Sequence, residues 1–148
     1  MKEKNIITFR KILAIIEERS TCARVQVGAL ITRDDRVIST GWNGSPAGLE
    51  HCIEKFNDIK NEVFFSDLHR DFSERFESHG EQNAIAAAAK NGIALLDSSI
   101  FTTVAPCSTC AKLIIGSGIK EVYYIRDYDR NDYGLELLKK CGIRTQKI

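Results

Sequence analysis

Apolar residues recur three and four apart at the start of the chain, at Ile6, Phe9, Ile12, Leu13 and Ile16, which predicts an amphipathic helix from about residue 3 to 19. The period then changes. Val25 to Thr32 and Val37 to Trp42 are β-branched runs on either side of Arg33-Asp34-Asp35-Arg36, the pattern of a hairpin. Residues 43–78 are polar, glycine-containing and aromatic-spiked, with a short helix predicted near Asp67–Phe76. An alanine-rich stretch from Glu81 to Lys90 predicts a helix closed by Asn91-Gly92. Ser99–Val104 reads as a strand and Cys107–Ile115 as a helix ending at Gly116. Glu121–Ile125 reads as a strand, Tyr133–Lys140 as a helix ending near Gly142, and Ile143–Gln146 as a last short strand. Strands alternating with helices in the second half argue for βαβ units. The expected fold is therefore α/β, a three-layer α/β/α domain with a mixed sheet of about five strands, its site at the strand C-terminal ends.

Composition narrows the class without deciding it. At 148 residues the chain reads as a single domain, residues 1–148, long enough to bury an ordinary core. It has 21 Lys and Arg against 20 Asp and Glu, a net charge of +1, so no strong field points to nucleic acid or to a membrane surface. The amphipathic start carries charge throughout and lacks the apolar stretch of a signal peptide, and no segment reaches the ~20 apolar residues of a membrane span. The expected location is the cytoplasm. There, five Cys read as metal ligands or free thiols more readily than as a disulfide framework.

The chemistry sits in His79-Gly80-Glu81, followed by Pro106-Cys107-Ser108-Thr109-Cys110. Cys107 and Cys110 are three apart at a helix start, so both sulfurs share one face, and the positive helix end favours thiolates. His79 adds a third ligand and leaves one tetrahedral position for water, the open arrangement of a catalytic zinc. Glu81 need not bind the ion and can shuttle protons. A Cys-x-x-Cys alone could equally be redox-active or half of a structural site, and a lone His-x-Glu carries almost no information. Together and in this order they form the signature of zinc deaminases, in which hydroxide attacks C4 of cytosine, N3 is protonated and ammonia leaves.

Further residues carry a family resemblance. Ser20-Thr21-Cys22-Ala23-Arg24 leads to Val27-Gly28-Ala29, and Gly41-Trp42-Asn43-Gly44-Ser45-Pro46-Ala47-Gly48 forms a glycine-rich loop. Glu81-Gln82-Asn83-Ala84-Ile85, Ala105-Pro106-Cys107 and Gly118-Ile119-Lys120-Glu121-Val122-Tyr123-Tyr124 follow. In these segments, from about Arg19 to the C-terminus, the chain resembles the dCMP deaminase family of the cytidine deaminase superfamily, and the glycine-rich loop is the most specific element. The resemblance implies hydrolysis of dCMP to dUMP, a homohexamer, and regulation by dCTP and dTTP bound with Mg²⁺ near that loop, at Trp42, Asn43 and Gly44. It also implies that Asn43 contacts nucleotide and that Arg24 and Tyr128 face the 5′-phosphate; the plainer readings are a solvated strand arginine and an exposed loop tyrosine.

Phage members of the family carry a structural zinc held by two Cys, a His and a Glu. The resemblance places Cys22, Cys52, His69 and Glu77 at the matching offsets, giving about two Zn²⁺ per chain. Free buried thiols with a surface His69 is the alternative, and His51, beside Cys52, is a competing ligand. Such a clip would order a segment with few apolar anchors. Cys141 reads as a core residue. Two positions depart from the family pattern. Trp42 stands in place of the usual Tyr. Gly80 stands where a small side chain is usual, which suggests room beside the pyrimidine for a 5-substituted cytosine such as 5-methyl-dCMP, with Gly80 as a substrate-facing residue. The alternatives to dCMP are another cytosine substrate (dCTP, a nucleoside or nucleic acid) and a non-catalytic zinc module that senses nucleotides.

Overall fold

A computed structural model describes residues 1–56, 62–128 and 133–148, with the backbone alone for 62–65. The helix built on the first apolar stripe, α1 (Glu3–Glu17), turns Phe9, Leu13 and Ile16 inward. Strands β1 (Gly28–Arg33) and β2 (Arg36–Trp42) form the expected hairpin. Asp34 and Asp35 both have positive φ, 52° and 60°, as a two-residue turn matched to strand twist requires. Then follow α2 (Cys52–Lys55), α3 (Glu62–Phe76), α4 (Gly80–Lys90), β3 (Ser99–Val104), α5 (Ser108–Gly116), β4 (Glu121–Arg126), α6 (Gly134–Lys140) and β5 (Arg144–Lys147).

The strands form one mixed sheet in the order β2-β1-β3-β4-β5. β1 runs antiparallel to both β2 and β3, while β3, β4 and β5 are parallel. Alternate residues of the strands feed two cores. Leu30, Phe101 and Tyr123 pack against Phe9, Leu13 and Ile16 of α1. On the other face Ala29, Ile31, Ile100 and Val122 meet Ala84 and Ala88 of α4, Ala111 and Ile114 of α5, and Leu138 of α6. The three-layer α/β/α expectation holds. Among the described residues no helix is long and apolar enough to cross a membrane.

Three expectations change. β1 begins at Gly28, not Val25, because the Val25 carbonyl and Val27 N–H bond to the Asn43 carboxamide instead of a neighbouring strand. The helix expected near Asp67 starts at Glu62, held by packing of Phe72 on Phe56, Cys22 and Cys52, contacts that local periodicity does not contain. Cys141 follows the last turn of α6 and is exposed, not core.

α4 and β2 approach each other backbone to backbone. A Cβ on Gly41 would sit 2.3 Å from the Ala84 nitrogen and 2.4 Å from the Gly80 carbonyl oxygen. Both are backbone atoms in a helix and cannot swing aside. Gly41→Ala is therefore expected to cost about 3 kcal/mol or more, read as a lower urea midpoint; an unchanged midpoint would mean that α4 tolerates displacement from the sheet.

Candidate active site

The parallel strands end where α4 and α5 begin. His79 is the N-cap of α4, in extended backbone (φ −74°, ψ 158°), and its N–H donates to Gln82 Oε1 at 2.7 Å. Glu81 falls in the first turn, where the helix dipole favours a carboxylate. Cys107 is the N-cap of α5 and Cys110 lies on its first turn. α6 closes over this turn because Gly134 has no side chain; a Cβ there would meet the Pro106 carbonyl oxygen at 2.0 Å.

His79 Nδ1 lies 3.5 Å from Cys107 Sγ and 3.3 Å from Cys110 Sγ, and the three ligand atoms fall within 4.8 Å of one another. A tetrahedral ion with bonds of about 2.1 Å to nitrogen and 2.3 Å to sulfur keeps such atoms about 3.5 Å apart, so the donor set fits zinc. Hydrogen bonds from Cys110, then from His79, bring the Cys107 thiol down to about 4. Beside it the Cys110 thiol is pushed up, first by the hydrogen bond it shares with the Cys107 sulfur and then by burial. The hydrogen bond to Cys107 raises the His79 imidazole. Glu81 is 4% exposed, and burial pushes its carboxyl above the ordinary carboxylate value.

Cys22, Cys52, His69 and Glu77 also come together within 4.8 Å. Cys22 Sγ lies 3.1 Å from His69 Nε2, which is 3.9 Å from Glu77 Oε2. Both Glu77 carboxylate oxygens are buried without a hydrogen-bond partner, and the side chain is 2% exposed. Burial raises its pKa. Cys22 is lowered and Cys52 raised, each chiefly by the hydrogen bond they share. Two thiols, an imidazole and an orphaned carboxylate suit tetrahedral zinc. His51 stands at the N-cap of α2, outside this cluster.

Both clusters open onto one cavity of about 630 Å³, which Glu81, Asn43, Arg24 and Tyr128 also line. Arg24 is exposed and Tyr128 half-buried. Asn43 serves the protein itself: its Oδ1 accepts from Ser20 Oγ at 2.6 Å and Val27 N at 2.7 Å, and its Nδ2 donates to the Val25 carbonyl at 2.8 Å. It fixes the segment that carries Arg24. One expectation is corrected. Gly80 does not line the cavity; a Cβ there would point at the Val27 carbonyl oxygen, 3.1 Å away, so its small size serves helix–strand contact and not the pyrimidine. Trp42 and Gly44 do not line it either. Trp42 packs on the α1 side with Arg19 over its ring at 4.9 Å, and Gly44 is buried against Thr21. The sequence reading missed Arg126, whose guanidinium lines the cavity while bonding Glu17 and the Gln26 carbonyl. Its position at the C-terminal end of a parallel strand was the available signal.

Residues 3–126 match the family described as the cytidine and deoxycytidylate deaminase zinc-binding region. The chain belongs to that family. It is 32% identical to the deoxycytidylate deaminase of Enterobacteria phage T4 over 170 aligned residues, covering 95% of this chain and 88% of that protein. To ComE operon protein 2 of Bacillus subtilis it is 38% identical over 130 residues, 88% of this chain and 64% of that protein. The dCMP deaminase of cyanophage S-TIM5, solved with dCMP and dUMP, superposes with a TM-score of 0.82 at 30% identity, covering 100% of this chain and 99% of that one. Within this family fold, removing the Asn43 carboxamide takes away the partner of the part-buried Val27 N–H and Val25 C=O and of the buried Ser20 hydroxyl. Asn43→Ala is expected to lower unfolding free energy by roughly 2 kcal/mol without nucleotide present; a loss seen only in nucleotide affinity would assign Asn43 to ligand contact instead.

Proposed function

We infer that the chain is a zinc-dependent deaminase that hydrolyses dCMP to dUMP and ammonia. The observation that carries this reading is the convergence of His79, Cys107 and Cys110 at the start of two helices, with buried Glu81 in the same cavity. Similarity along almost the whole chain to deoxycytidylate deaminases supports the choice of substrate.

When held by the imidazole and two thiolates, zinc supplies a water activated at neutral pH. The protein supplies the proton traffic. Glu81 accepts one proton from the attacking water as the bond to C4 forms and delivers it to N3, then accepts the second proton of that oxygen as the C4 carbonyl forms and passes it to the departing amine. Burial suits this role, because it narrows the gap between the protonated and ionised carboxyl that each transfer crosses. Arg24 and Tyr128 at the cavity mouth offer a guanidinium and a phenol to the 5′-phosphate, which distinguishes a nucleotide from a nucleoside. The Asn43 hydrogen bonds hold Arg24's segment against the cavity.

The remaining parts of the proposal rest on family resemblance. They are a second zinc at Cys22, Cys52, His69 and Glu77, a homohexamer, and dCTP and dTTP bound with Mg²⁺ at the glycine-rich loop. Of these loop residues Asn43 lines the cavity, while Trp42 and Gly44 lie outside it.

Glu81→Gln should lower ammonia release from dCMP by roughly 10²–10⁴-fold with zinc content unchanged. Wild-type protein that releases no ammonia from dCMP, dCTP or deoxycytidine would replace the enzyme with a nucleotide-sensing module. Because the Gly80 Cβ would face Val27, Gly80→Ala is expected to change kcat/KM for dCMP and 5-methyl-dCMP in the same proportion. A selective loss on the 5-methyl substrate would restore Gly80 to the pocket wall.

A further inference from the structure

A single residue separates the two ligand clusters along the chain. α3 ends at Phe76 and α4 begins at Gly80, so Glu77, Ser78 and His79 are the whole connection. Glu77 belongs to one cluster and His79 to the other. Ser78, between them, is locked to the glycine-rich loop by two reciprocal backbone bonds, Gly44 N–H to the Ser78 carbonyl at 3.1 Å and Ser78 N–H to the Gly44 carbonyl at 3.0 Å.

The loop continues this ladder to the other ligands. Thr21, next to Cys22, donates its N–H to the Asn43 carbonyl at 3.3 Å. Its own carbonyl accepts from the N–H of Ile53, the residue after Cys52, at 3.0 Å. Gly44 fits against Thr21 only because it has no side chain; a Cβ would lie 2.2 Å from Thr21 Oγ1. Cys52, Cys22 and Glu77 thus each sit one residue from a continuous run of backbone hydrogen bonds whose far end is the residue before His79. On its other side His79 is held by α4, through Gln82 Oε1 and the Asn83 N–H. Its approach from α3 has the Ser78–Gly44 pair and Glu77. Glu77 brings a buried carboxylate with no hydrogen-bond partner, a costly arrangement until a cation neutralises it.

We propose that the two clusters are energetically coupled through this ladder. An ion held by Cys22, Cys52, His69 and Glu77 fixes the backbone that presents His79, and so raises the affinity of His79, Cys107 and Cys110 for their own ion. Glu77 is then a positioning residue acting through His79, and the coupling works equally in both directions. The proposal rests on the reading that both clusters bind metal.

The test is a Co²⁺ titration of metal-depleted protein against a competing chelator, followed by thiolate-to-cobalt absorption, on wild type, Glu77→Gln and Gly44→Ala. Glu77→Gln keeps the side-chain volume and removes a buried charge; Gly44→Ala keeps all seven ligands and disturbs only the ladder. Coupling predicts that cobalt binding at His79, Cys107 and Cys110 weakens roughly 10–100-fold in Glu77→Gln and weakens also in Gly44→Ala, with far-UV circular dichroism unchanged. Equal affinity in all three proteins overturns the coupling while leaving two metal sites. Uptake of one cobalt per wild-type chain overturns the two-metal reading and the coupling with it. Should a variant fail to fold, fully loaded wild type decides: as chelator withdraws cobalt, coupled clusters empty together, and two independent releases refute the proposal.

Discussion

Helix α4 meets the sheet backbone to backbone, and the position of every catalytic group follows from that contact. Gly41 of β2 leaves no room for a methyl group between strand and helix, and Gly80 faces the carbonyl of Val27 at the approach to β1. Pressed this close, α4 can start at only one height above the sheet. His79 then caps it beside the end of β3, and Glu81 turns into the space between strands and helix. The cost of Gly80 in a helical turn, up to about 1 kcal/mol relative to Ala, is offset by the packing that its absent side chain permits.

The parallel half of the sheet completes the arrangement. β3 leads directly into Pro106 and the N-cap Cys107, so α5 starts at the same sheet edge as α4. Two helix N-termini then point at one spot, where their dipoles favour thiolate and carboxylate and where the donors are too crowded to all carry charge without a cation. The opposed shifts of Cys107 and Cys110 express that crowding. Cys22, Cys52, His69 and Glu77 repeat the theme on a different scaffold, with a small aromatic shell of Phe56 and Phe72 in place of the sheet. The glycine-rich loop lies between the two clusters and bonds to segments of both, which gives its glycines and Asn43 work inside the protein before any ligand arrives.

Much of this was legible along the chain. The stripe from Ile6 to Ile16, the Asp34-Asp35 turn and the alternation of β-branched runs with alanine-rich helix gave element type and order, because each is set by residues close in sequence. The His79, Glu81, Cys107 and Cys110 set was legible for the same reason: its spacing within each helix start dictates which side chains share a face. The start of β1 was misplaced because Val25 and Val27 look like strand residues, yet their partner is the side-chain amide of Asn43, just past the end of β2. The length of α3 was missed because its polar sequence becomes a helix only when Phe72 finds Phe56.

Local order, helix starts and the chemistry of each ligand were therefore fixed by the amino-acid sequence itself, through periodicity, capping and donor type. Which surfaces face which was decided only by the tertiary structure. Gly80 meets the Val27 backbone and not the cavity, Trp42 meets α1, and Glu77 comes within ligand distance of Cys22 and Cys52, because distances between elements depend on how close two backbones can approach. That approach is a property of pairs of segments far apart in the chain, and no window of sequence contains it.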